Sequence, residues 1–144
     1  METWDARSLH RRLEGLAAWV ERLADRDFSA GRWVAPEPLP DGTIRMAYYV
    51  YSEAADAFRS DCGRLGWVVP FDWMAWAGSP EGRRLLEDRD AIARASSDDI
   101  QRMLTTIIRS DRFTEGSLAG AFESGLVLAI LERARVLAVD TREA

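Results

Sequence analysis

Two groups of residues have the types and spacing to do chemistry. The first is Arg109, Asp111, Arg112 and Glu115, two carboxylates and two guanidiniums within seven residues. Such a set can form an ion-pair network that holds a turn, or it can line an acid/base or anion site, and tyrosine hydroxyls from Tyr49 or Tyr51 would complete it. Glu123 is placed to reach the same area. The second group is aromatic: eight of the fourteen aromatic residues lie between positions 48 and 76. Tyr49, Tyr51, Trp73 and Trp76 combine apolar bulk with a polar tip, which suits a small-molecule pocket, a protein interface or a core of large rings. Asp72, between Phe71 and Trp73, could hold a cation among the rings, or cap a helix.

The rest of the inventory excludes much. All 19 basic residues are Arg, and Lys and Asn are absent. There is consequently no Schiff-base lysine and no Walker A loop. His10 is the only histidine and Cys62 the only cysteine. Paired-histidine metal sites, thiolate zinc sites, C-x-x-C redox motifs and internal disulfides are thereby ruled out. A Ser-His-Asp triad would have to use His10, which sits on an amphipathic helix. No metal and no cofactor are expected. The net charge of −5 disfavours nucleic acid; only a local basic face of Arg83, Arg84, Arg89 and Arg94 would serve it. No apolar run approaches the ~20 residues of a membrane-spanning helix, and the N-terminal residues lack a secretory pattern. The cytoplasm is the expected compartment.

The elements that must position these groups read mainly as helices. Residues 4–26 carry Leu9, Leu13, Leu16, Val20 and Leu23 at helical spacing, with Thr3 as the expected N-cap. Residues 28–43, with three of the five prolines and an Asp-Gly turn, read as a connecting loop ordered by Trp33 and Leu39. Residues 43–51 are rich in β-branched and aromatic side chains, and 66–71 are extended around Pro70, so a short two-stranded pairing between them is expected. Ser52 caps a helix that carries Phe58 and Cys62 and closes at Gly66. Asp72 caps a brief turn. Ser79-Pro80 starts the next helix. Ser96 and Asp99 form a capping box ahead of Ile100, Met103, Leu104, Ile107 and Ile108. A last helical region begins near Thr114 and either runs straight to Ala138 or bends near Gly125. Residues 139–144 read as a frayed tail. The expected whole is one mainly α domain, residues 1–144, of five to six helices.

Within the last helical region Gly116, Gly120 and Ser124 recur one turn apart, as do Ala121, Gly125 and Ala129. Glycine in a helix interior costs about 1 kcal/mol against alanine, so such a stripe points to close approach of another backbone. That backbone belongs either to the same chain or to a second copy crossing at the Gly116–Ala129 helix.

The segments M-A-Y-Y-V-Y-S-E-A, G-W-V-V-P-F-D-W and D-R-F-T-E-G-S-L-A-G-A-F-E-S-G-L-V-L-A-I-L resemble a bacterial, largely actinobacterial family, the domain of unknown function 6508. The F-x-E-G-x-L-x-x-A-F-x-x-G pattern from Phe113 to Gly125 carries most of the likeness. An actinobacterial source agrees with the loss of Lys and Asn codons. The resemblance implies no reaction and assigns no catalytic or ligand residue. Two readings of function remain. One is a non-enzymatic binding module that contacts a protein through the aromatic region. The other is a small-molecule binder or enzyme using Asp111, Arg112 and Glu115 with Tyr49 or Tyr51.

Overall fold

The computed structural model describes the backbone of residues 3–143 and the side chains of residues 3–142. Five helices of eight residues or more make the frame: α1 (Ala6–Ala17), α3 (Glu53–Arg64), α5 (Pro80–Glu87), α7 (Ser97–Ser110) and α9 (Leu126–Glu143). Short helices join them: α2 (Val20–Ala24), α4 (Trp73–Gly78), α6 (Arg89–Ile92) and α8 (Ser117–Glu123). Two ribbons precede α3. Strand β1 (Gly31–Val34) pairs antiparallel with β4 (Tyr48–Tyr51), and β2 (Glu37–Pro38) with β3 (Ile44–Arg45). The domain is thus a compact helical one with short β elements.

The core follows the apolar stripes. Leu13 and Leu16 of α1, Phe58 and Cys62 of α3, Ile100, Met103 and Leu104 of α7, and Val127, Ile130, Leu131 and Ala134 of α9 are fully buried together. Helix starts follow local chemistry. Ser52, Asp72, Ser79 and Ser96 each accept from an amide in the first turn of their helix, and Asp99 returns the bond to the Ser96 amide.

Four expectations need correction. The helix expected over 4–26 divides at Ala18–Trp19, because Trp19 turns into the core. Its indole donates to Asp61 at 2.9 Å and its ring meets Phe58 edge-on. The cap of that helix is Asp5, not Thr3; its carboxylate accepts from the Ser8 amide. The 28–43 stretch holds strands β1 and β2, and β4 pairs with β1 instead of with 66–71. Gly31 makes this pairing fit: at φ +147° it lies where a Cβ would stand 2.1 Å from the Val50 carbonyl oxygen. Segment 66–71 stays single because α7 already serves its backbone. Thr105 Oγ1 donates to the Trp67 carbonyl and accepts from the Val69 amide, and Gln101 donates to the Gly66 carbonyl. Of the two courses open to the region after Thr114, the chain takes the bend: two helices separated at Gly125 in the left-handed conformation. Residues 139–143 continue α9, and Ala144 lies outside the described residues.

Candidate functional site

Side chains alternate along β4, so Tyr49 and Tyr51 face α8 while Val50 faces outward. Strand β1 covers one edge of β4. On the other edge the Tyr49 amide donates to Glu115 Oε1 at 2.8 Å. The Tyr51 hydroxyl donates to Asp111 Oδ1 at 2.5 Å and accepts from the Ala119 amide at 3.1 Å. Asp111 Oδ1 also accepts from the Leu118 amide at 3.1 Å.

These bonds have one cause. Helix α8 starts at Gly116, which has no side chain with which to cap. Its first amide, Ser117, bonds the Thr114 carbonyl, but the next two would otherwise lie unpaired at the positive end of the helix dipole. Asp111 takes the second helical amide and Tyr51 the third. Gly116 itself is required: at φ +84° it lies under the Trp33 indole, and a Cβ there would stand 2.6 Å from Trp33 Cζ2. Trp33 in turn meets Tyr49 edge-on, with ring centroids 5.3 Å apart. Arg59 of α3 lies over the Tyr51 ring at 4.7 Å and pairs with Asp56.

Burial pushes the Tyr51 phenol well above its ordinary range, and the bond to Asp111 adds to the shift. Tyr49, buried among Ala30, Ala119, Phe28 and Phe122, is raised by desolvation first and by the Glu123 and Asp111 charges after it. Both phenols, neutral at physiological pH as any tyrosine is, hold their protons to higher pH than the free side chain.

Of the residues singled out in the sequence, Tyr49, Tyr51, Asp111 and Glu115 come together. Glu123 stands close enough for its charge to act on Tyr49, and Arg112, Asp72, Trp73 and Trp76 do not join the cluster. Arg112 is exposed and has no ion pair among the described residues. The expected arginine–carboxylate network at the turn is replaced by carboxylates serving backbone amides and a phenol. Asp72 is an exposed helix cap. Trp76 packs edge-on against Phe71 and its indole nitrogen is buried without a partner. Trp73 lies against Phe113, with centroids 6.0 Å apart. Sequence reasoning assigned no site role to Trp33, Arg59 or Phe113. Trp33 sits in a proline-rich stretch whose aromatic residue was the available signal. Arg59 was indistinguishable from an ordinary surface residue, and Phe113 stood out only as the first residue of the family-like pattern.

The chemical capacity of this cluster is small. Asp111 Oδ1 already accepts two hydrogens, and the Tyr51 hydroxyl both donates and accepts. The arrangement locks the β1–β4 ribbon and the 111–116 turn to α8. Among the described residues no group of three or more His, Cys, Asp or Glu could hold a metal ion, and no helix is long and apolar enough to cross a membrane.

No curated protein and no solved structure matches the chain. The model of a family of unknown function, DUF6508, matches residues 8–140, and with the Phe113–Gly125 pattern seated in this Tyr51–Asp111–α8 lock the chain belongs to that family.

Proposed function

We propose that the protein is a non-enzymatic interaction module that docks a protein partner on the apolar rim around the 111–116 turn. One observation carries this reading: large apolar side chains are left in solvent there. Phe113 is 67% exposed, Trp33 56% and Met74 53%. Phe113 and Trp33 flank the locked turn, and Trp73, next to Met74, leans on Phe113. Exposed aromatic and methionine side chains ringed by charged residues, here Arg112 and Glu115, have the make-up of an interface core with a polar rim. The lock beneath supports the role, because a rigid surface loses less entropy on binding. The enzyme reading using Asp111, Arg112 and Glu115 with Tyr49 or Tyr51 is weakened for Tyr51, whose hydroxyl is held by Asp111 and the Ala119 amide; the buried Tyr49 hydroxyl has no hydrogen-bond partner among the described residues.

A cytoplasmic setting and an actinobacterial source belong to this proposal. The free buried thiol of Cys62 and the arginine-only basic composition support them. Self-association through Gly116–Ala129 is a second reading. Its support is Gly120, exposed and with open space where a Cβ would stand.

The test is site-specific photo-crosslinking in the source cell, with a benzophenone amino acid at position 113 or, as control, at exposed position 64. A discrete adduct with another protein from position 113 alone supports the module. Adducts equal at both positions, or none, sink it.

A further inference from the structure

Away from the aromatic rim, α6 and α9 leave between them a groove of about 460 Å³, a size typical of small-molecule sites. Ile92, Leu128, Ala129 and Val136 give it apolar walls. Gly125, which ends α8 in the left-handed conformation, has nothing within 4 Å of where a Cβ would stand, so that end of the groove stays open. The small residues of the last helical region thus serve here to leave space.

Two arginines stand on the rim, and both are already oriented. Arg133 donates from Nε to the Ala95 carbonyl at 2.8 Å, behind α6. Arg89 donates from a terminal nitrogen to the Ser124 carbonyl at 3.1 Å, at the end of α8. A guanidinium has five N–H donors, so one bond leaves most of the fork unused. Neither arginine has an ion pair among the described residues. Glu132 is the one acidic residue lining the groove, which leaves it a net single positive charge. A pinned, uncompensated guanidinium beside hydrocarbon walls suits a carboxylate, whose two oxygens match the fork and whose binding orders little further. The single excess charge and the apolar walls suit a monoanion with a hydrocarbon body better than a polyphosphate or a nucleic-acid backbone.

We propose that the α6–α9 groove is a binding site for an amphipathic carboxylate, with its head on the rim of Arg89 and Arg133 and its chain along Ile92, Leu128 and Ala129. The site is independent of the protein-docking rim.

The test titrates the full chain with sodium octanoate below its micelle concentration, followed by amide NMR. Octanol and octylammonium serve as matched probes without the negative charge. The expected result is saturable shifts at Gly125, Leu128 and Ala129 with octanoate, and weaker binding of both controls. Arg89→Gln, an exposed substitution, should weaken octanoate by about tenfold while leaving the melting temperature unchanged. Ala129→Leu, which fills the groove, should abolish the shifts. Octanol or octylammonium binding as tightly as octanoate, or an octanoate affinity unchanged in both variants, would overturn the assignment.

Discussion

Tyr51 and Asp111, sixty positions apart in the chain, share a hydrogen bond that joins strand β4 to the start of α8. Each also accepts from an α8 amide, so the pair does what a capping residue does elsewhere, from a distance. Tyr51→Phe keeps the ring against Arg59 and removes the hydroxyl. It leaves the Ala119 amide without its partner and Asp111 with one fewer donor. The expected loss is about 1–3 kcal/mol of unfolding free energy, read from urea melts at neutral pH. A change below ~0.5 kcal/mol would mean that the lock contributes little.

The same pair predicts an alkaline response. Tyr51 and Tyr49 are raised above their ordinary 10.0, mainly by burial, and the buried Cys62 thiol above its ordinary 9.0. The folded protein therefore holds these protons more tightly than the unfolded chain. Their contribution is fully present below pH 9 and is lost as the pH rises through 9–10 and beyond. Urea midpoints measured from pH 8 to 11 should fall with rising pH, and less steeply in Tyr51→Phe. A flat profile in the wild-type protein would contradict the burial of the phenols.

Two glycines one helical turn apart should respond with opposite sign. Gly116→Ala forces a left-handed residue with a Cβ against Trp33 and should cost about 1–3 kcal/mol. Gly120→Ala, inside α8 with open space around it, should gain up to ~1 kcal/mol in the monomer. Equilibrium unfolding of both variants gives the comparison. If the chain self-associates through this region, light scattering of Gly120→Leu will show dissociation; a mass equal to wild type at all concentrations removes that reading.

Cys62 is fully buried and its thiol is pushed up by desolvation. An aromatic disulfide reagent should label it in urea within seconds. In native buffer it should react only at the rate of opening. Rapid native labelling would show that the α3 face is not closed over it.

Phe113→Asp and Met74→Asp change residues that stand mostly in solvent. Each should shift stability by no more than ~0.5 kcal/mol, and Met74→Asp should remove the adduct crosslinked from position 113. Loss of the adduct together with loss of folding would leave the interface idea unsupported.

What the chain determines by itself is whatever physics acts within about four residues. Ser52, Asp72, Ser79 and the Ser96–Asp99 box cap the helices they were expected to cap, because an N-cap bonds to amides two or three positions ahead. Of the stripe from Ile100 to Ile108, Ile100, Met103, Leu104 and Ile107 are buried and Ile108 half-buried, as the spacing requires. The approach of Tyr49, Tyr51, Asp111 and Glu115 was legible only as a set of compatible chemistries. Tertiary structure decided that they meet, and that they serve backbone amides instead of arginines, because Gly116 offers α8 no cap of its own. It also decided which strand β4 would join. The expected partner, 66–71, was lost to that edge because Thr105 and Gln101 of α7 take its backbone, and the stretch read as a loop supplied β1 in its place. The exposure of Phe113 and the pinning of Arg89 and Arg133 were likewise invisible in the chain. Each depends on where another helix ends, and no local pattern records that.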